Sequence, residues 1–396
     1  MQNFASPTVF HVIPTLLTGG AEGMLESLLS APREESYRQV VINLTGEGSL
    51  TRRVPSNISV YNLELGGIAG VPKTVRQLSK LIREHRPRSV QSWLYYADLI
   101  SLAALEFSGC RSTTKLYWGV RASHLDLSQY RRSLSWTISL CAFFSGRPDA
   151  VVANSAAGRD AHIALGYKPR AFPVISNGID LQRFHASEAS RLRIREALAI
   201  GKDEILVIHV ARVDPMKDQN TFLEIARKRP ALRFLLVGPD TETLTLPSNA
   251  IALGTRRDMP DLYAAADIAV STSAFGEGFP NAVAEAMACG VPVVATNVGD
   301  SSPIVGTSGY VVNPGDRSAM LACIDQLVAL PASHRRSMGA SGRARIESRF
   351  SIERSVALFD RLLLRGEMED EGSGRYSPHQ FAPTAARSDR PTEGRA

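Results

Sequence analysis

Between Gly276 and Thr296 the chain reads GEGFPNAVAEAMACGVPVVAT, which sets Glu277 and Glu285 on either side of a helix start. Pro280 suits the first helical position, because its ring fixes φ and its missing N–H had no partner there. The helix is then expected to run to Cys289 and stop at Gly290. Its first turn leaves the amides of Phe279, Asn281 and Ala282 open. With a helix dipole worth about 0.3–1 kcal/mol for a negative group, those amides make a seat for phosphate, flanked by Gly276 and Gly278. Glu285, one turn inside on the face of Asn281, can accept hydrogen bonds from both hydroxyls of a ribose. Glu277, in the loop, can bind the hydroxyls of a sugar beyond the phosphates. The plainer alternative is a buried helix whose glutamates merely face water.

A second group is HVARVDPMKD, where Arg212 and Lys217 follow a strand. Ligands of open parallel sheets bind outside the carboxyl ends of the strands, so both cations point toward the crevice of the glutamate-bearing helix. There they can neutralise a diphosphate leaving group as its charge develops; otherwise they are solvated charges near a turn. No Asp-x-Asp pair offers a metal for that work, and neither a metal nor a cofactor is expected. A third group, TLLTGGAEG, sets Gly19, Gly20 and Gly23 between the first strand and its helix. Such a loop lets a phosphate or sugar approach the main chain, although a plain tight turn has the same signature.

Strands alternating with helices must hold these groups. TVFHVIP, QVVINL, SVQSW, TKLYWGV and AVVANS form one series, and EILVIHVARV, RFLLVG, AIAL, DIAVST, VPVVAT and GYVV a second, with helical runs between them. That alternation implies two parallel sheets covered on both faces. The expected units are residues 1–175, residues 176–350, a C-terminal helix over 351–366 that packs back on the first unit, and a disordered tail over 367–396. Asn177-Gly178 supplies the turn chemistry at the start of the second half. His11 and His209 fall within strands and read as core histidines. Asp98 is expected to cap a helix, the alternative being that it faces an acceptor. SLSWTISLCAFFS reads as a buried helix of the first unit, with a helix lying on a membrane surface as the alternative.

At 396 residues, 44% hydrophobic and 21% charged, the chain has the size for two cores and no apolar run that could cross a bilayer. The N-terminus lacks a secretory pattern, and the four cysteines lie far apart, so a cytoplasmic protein without disulfides or zinc is expected. The net charge of +6 favours anionic partners.

EGFPNAVAEAMACGVPVVAT together with ARVDPMKD, NGID and TGGAE resembles the retaining, nucleotide-sugar-dependent glycosyltransferases of family 4, of the bacterial surface-polysaccharide type, from about His11 to Phe359. The resemblance implies a GT-B fold: two doubly wound, Rossmann-like α/β domains facing each other across a cleft, the first binding the acceptor and the second the donor. It implies that Glu277 binds the donor sugar, Glu285 the ribose, and Arg212 and Lys217 the diphosphate. Gly19 and Gly20 would lie beside the transferred sugar, and Gly278, Phe279, Pro280 and Asn281 would complete the donor site. Many relatives place a histidine of the first domain near that sugar; here Arg121 or His124 fills the space, unless both belong to a helix or loop surface. The implied reaction moves a sugar to a glycan or lipid-linked acceptor, at the inner face of the membrane, with peripheral contact to anionic lipid and no nucleic acid. A nucleotide-sugar epimerase on the same fold and a non-catalytic polyanion-binding protein are the alternatives.

Overall fold

The computed structural model describes residues 6–17, 19–46, 48, 54–123 and 132–369. In the first lobe β1 (Thr8–Ile13), β2 (Arg38–Asn43), β3 (Ser59–Asn62), β4 (Ser89–Ser92), β5 (Lys115–Val120) and β6 (Ala150–Ala153) form a parallel sheet in the order β3-β2-β1-β4-β5-β6. Its helices are α1 (Gly20–Ser30), α2 (Val71–His85), α3 (Tyr95–Ser108), α4 (Arg132–Phe144) and α5 (Ala156–Ala164). In the second lobe β7 (Leu206–Val210), β8 (Arg233–Val237), β9 (Ala250–Ala252), β10 (Ile268–Ser271), β11 (Val293–Thr296) and β12 (Gly309–Val312) run in the order β12-β11-β10-β7-β8-β9. Around them lie α6 (Glu188–Ala197), α7 (Gln219–Lys228), α8 (Met259–Ala265), α9 (Asn281–Ala288), α10 (Ser301–Val305), α11 (Arg317–Ala329) and α12 (Ala332–Arg349). Each sheet reverses its winding between its first strand and a neighbour, β1 against β4 and β7 against β10, and a crevice opens at such a switch point.

The central strands are buried on both faces, which accounts for their continuous apolar runs, and His11 and His209 lie within them. Burial pushes His11 down to about 3 and His209 down to about 4, so both rings are neutral; the His209 Nδ1 lies 3.0 Å from the Val270 carbonyl. The chain returns to the first lobe at its end: α13 (Ile352–Asp360) and a π-helical turn over Arg361–Arg365 bury Val356, Phe359, Leu362 and Leu363 in that lobe's core. Phe359 stacks on Trp93 at 5.9 Å, and the Asp360 carboxylate accepts from Arg33 and Tyr37.

The readings of two residues and one helix change. Gly178 is in no positive-φ turn. It is needed because a Cβ there would stand 2.5 Å from Ile352 Cα at the start of α13, where the two interlobe crossings touch. Asp98 neither caps its helix nor faces a cleft: buried in the first turn of α3, it accepts from Ser92 Oγ at 2.5 Å and from the Gly119 amide, joining β4 to β5. The helix α4 is buried on one side only. Ile138 and Cys141 face the core, while Trp136, Leu140 and Phe143, at i, i+4 and i+7, form an exposed stripe, 73% exposed at Trp136 and 80% at Phe143.

Candidate functional site

The carboxyl ends of β7 and β10 bring the predicted donor groups together. Pro280 stands at the N-cap of α9, one position earlier than expected, and the helix ends at Ala288 with Gly290 at positive φ. No acceptor among the described residues pairs with the amides of Phe279, Asn281 and Ala282, so the first turn of α9 remains an open anion seat. The Phe279 ring is buried edge-on to Phe350 and anchors the loop.

Glu277 lies on one side of this seat. Its carboxylate accepts from Lys217 Nζ and, at 2.6 Å, from Ser273 Oγ, with the ion pair largely shielded from solvent. A shielded pair with an added hydrogen bond holds its geometry better than a surface pair. Lys217 closes the 3₁₀ turn Pro215–Lys217, which Asp214 caps by accepting the Met216 amide. Arg212 is not part of this pair: its guanidinium is held by Asp214 at 2.7 and 3.0 Å and is half exposed.

Glu285 lies on the other side and accepts from the Tyr263 hydroxyl at 3.2 Å. Burial pushes its carboxyl up to about 7, opposed by that hydrogen bond and by the Arg183 charge. It borders an interlobe cavity of about 450 Å³ lined by Gly19, Asn177, Arg183, Thr255, Arg256, Arg257 and Asn281. The glycine loop of the first lobe therefore meets the start of α9 in the second; a Cβ on Gly20 would lie 3.7 Å from Asn281 Nδ2.

Arg121, at the end of β5, turns inward and is not on a loop surface. Its guanidinium lies 4.3 Å from the Trp93 ring centroid and donates to Asn177 Oδ1 at 3.1 Å, and Asn177 Nδ2 donates to Asn281 Oδ1 at 2.9 Å. Its Nε and Nη2 have no partner among the described residues, and burial pushes the group down to about 9. His124 lies outside the described residues.

Several residues at this seam carried no sequence signal for a role at the cavity. Asn177 and Arg183 belong to NGIDLQR, of which only NGID stood out, and Arg256-Arg257 is an ordinary basic pair until β9 and α8 aim its loop at the cavity. Ser123, Asn154 and Asp300 matter only through contacts between the lobes.

The profile described as Glycosyltransferase Family 4 matches residues 18–183, and that described as Glycosyl transferases group 1 matches residues 204–329. The D-inositol 3-phosphate glycosyltransferase of Mycobacterium sp. (strain KMS) is 31% identical over 209 residues, 48% of this chain and 47% of the relative. That of Mycobacterium tuberculosis (strain F11) is 30% identical over 48% of this chain and 43% of its own length, so the matches span about half or less of these curated relatives. Among solved structures, Anabaena HepE in complex with UDP and glucose superposes with a TM-score of 0.77 at 22% identity, covering 90% of this chain and 99% of that one. Sucrose-phosphate synthase from Thermosynechococcus elongatus gives 0.73 at 18% identity, with 90% and 98% covered. With both lobes matched in sequence and the two parallel sheets matched in fold, the chain belongs to the group 1, family 4 glycosyltransferases and has the GT-B fold.

Proposed function

We propose that this chain transfers a sugar from a nucleoside-diphosphate donor to an acceptor hydroxyl, with retention at the anomeric carbon. The observation that carries the reading is the convergence on the start of α9: open amides at its centre, the Lys217–Glu277 pair to one side, and Glu285 with its cavity to the other. A diphosphate on those amides directs its ribose toward Glu285 and its sugar toward Glu277. Lys217 then faces the leaving oxygen, where its charge counts most as the bond breaks. Arg212 joins it by exchanging Asp214 for phosphate, and Arg183, Arg256 and Arg257 surround the nucleoside end. Gly19 and Gly20 cover the donor from the first lobe, and Arg121, with His124 beside it in sequence, serves the sugar end of that cover.

Glu277 is already engaged by Lys217 and Ser273, and Glu285 lies at the ribose end, so neither carboxylate is placed to attack the anomeric carbon. The reaction that fits is departure of the diphosphate and attack on the same face, the leaving phosphate oxygen taking the acceptor's proton. Closure of the lobes excludes water, which otherwise hydrolyses the donor.

HepE crystals hold UDP with glucose, or UDP-glucose, which makes UDP-sugars the first donors to test. The acceptor in this reading is lipid-linked or a growing polysaccharide, taken at the inner face of the membrane. What supports it is the outer side of the first lobe. The exposed stripe Trp136, Leu140 and Phe143 of α4 and exposed Phe107 of α3 lie on the same lobe as α2, which exposes Lys73, Arg76, Lys80 and Arg83 at i, i+3, i+7 and i+10. Arg83 reaches the Phe107 carbonyl at 3.4 Å, so cations and aromatics adjoin, the composition that suits an anionic bilayer surface. No helix among the described residues is long and apolar enough to cross a membrane.

The test is incubation with radiolabelled UDP-sugars and lipid-linked acceptors, with the anomeric configuration of the product read by NMR. A retained α-linkage from an α-donor is expected. Conversion of the nucleotide sugar without acceptor would replace the proposal by an epimerase, and absence of binding to every activated sugar would overturn it.

A further inference from the structure

Three contacts from the first lobe converge on the Glu277–Gly278 peptide. Ser123 Oγ donates to the Glu277 carbonyl. A Cβ on Gly278 would stand 2.6 Å from Asn154 Oδ1 and 3.0 Å from the Arg121 carbonyl, so this stretch of main chain lies flat against the ends of β5 and β6. The third contact runs through Asp300, the residue before α10. Its carboxylate accepts the amides of Ala156 and Ala157, at 2.9 and 3.0 Å, in the first turn of α5. Its own amide donates to the Gly278 carbonyl at 3.0 Å.

One residue of the second lobe thus holds a helix of the first lobe with its side chain and the peptide beside Glu277 with its backbone. Gly299 precedes it at φ +60°, and a Cβ there would collide with the Glu277 and Gly278 carbonyl oxygens, so this segment has no slack against the peptide it supports. The Asp300 carboxylate is buried, and two main-chain amides at a helix N-terminus compensate it. Separating the lobes removes both amides at once, so the bonds exist only while the lobes are together.

We propose that Asp300 is a positioning residue for transfer: apposition of the lobes seats its carboxylate on α5, and that seating fixes the Glu277–Gly278 peptide from which Glu277 and the open amides of α9 project. This inference rests on the reading of Glu277 and the α9 amides as the sugar and phosphate groups of the donor site. Closure thereby completes the donor site as well as covering it.

Hydrogen exchange by mass spectrometry on the ligand-free protein tests the coupling without any substrate. In Asp300→Ala, peptides covering 155–159 and 281–286, the latter containing the Val283 and Ala284 amides bonded to the Pro280 carbonyl, should both exchange about tenfold faster, with β1 and β7 unchanged. Asp300→Asn, which keeps one acceptor oxygen, should restore much of the protection in both. Hydrolysis of UDP-glucose should show a lower kcat in Asp300→Ala, about tenfold, with KM changed less than threefold. Faster exchange at 155–159 alone, with 281–286 as in the wild type, would overturn the inference and leave Asp300 as a cap of α5. Joint exchange in a protein that binds no activated sugar would keep the coupling and overturn the donor-site reading instead.

Discussion

Lowering the pH from 8 to 6 should weaken the binding of an activated sugar about tenfold, with Glu285 as the cause. Burial raises its carboxyl from 4.5 to about 7, with the Tyr263 hydroxyl and Arg183 pulling the other way. Only the carboxylate can accept from both ribose hydroxyls. About nine-tenths of it is ionised one unit above the pKa and about one-tenth one unit below, a loss of roughly 1.3 kcal/mol in binding. Stability has the opposite sign. Because the folded pKa is raised, this group's contribution to folding is fully present below about pH 4.5 and is lost as pH rises through about 7. Isothermal titration with UDP-glucose at both pH values checks the binding, since the substituted diphosphate of a nucleotide sugar carries no group that titrates in this range, unlike free UDP. Glu285→Gln should bind more weakly at pH 8 and show little dependence on pH. Equal affinity at both pH values in the wild type, or the same slope in Glu285→Gln, would refute the role given to this carboxylate.

Lys217→Ala should lower kcat by about 10²–10³ with a smaller effect on donor KM, measured by release of the nucleoside diphosphate, because the cation acts on charge that appears as the bond breaks. Asp98, pushed up to about 8 by burial, is mostly protonated at neutral pH. Its contribution to stability is full below about pH 4 and lost as pH rises through 8, so urea midpoints of the wild type should fall between pH 6 and 9 while those of Asp98→Asn change less. Replacing Trp136 and Phe143 together by serine should reduce flotation with phosphatidylglycerol vesicles at least tenfold and leave soluble-donor hydrolysis unchanged; equal flotation would remove the membrane face.

The buried strands and the glutamate-bearing helix were legible because their signals are local. VVIN and VVAT are apolar on both faces, and Pro280 and Gly290 bracket α9. The edge strand β3 was not, since its four residues, SVYN, are half exposed and carry no apolar run. Nor was α12: ASHRRSMGASGRARIESR is polar with two interior glycines, and its helix is held by tertiary contact. Gly339 packs on the Gly290 carbonyl so closely that no Cβ fits, and Gly342 lies on Met287. At the candidate site, sequence spacing placed Glu277, Glu285 and Lys217 around one helix start, but it could not show that Lys217 pairs with Glu277 while Arg212 pairs with Asp214. The exposed stripe of α4 was not the favoured reading for a related reason. Its composition is that of a core helix, and only its neighbours decide which side the core receives.

The double passage of the backbone between the lobes has a mechanical consequence. The linker and the segment leading into α13 run side by side, bonded from the Ile179 amide to the Phe350 carbonyl at 2.8 Å and from the Ile352 amide to the Ile179 carbonyl at 3.0 Å. A joint of two bonded ribbons resists torsion and flexes most readily about one axis, so the two halves should swing like a book on its spine. A fragment ending before Ser351 would also strip Phe359 and its neighbours from the N-terminal half, which therefore cannot be excised as one continuous piece with its interior intact.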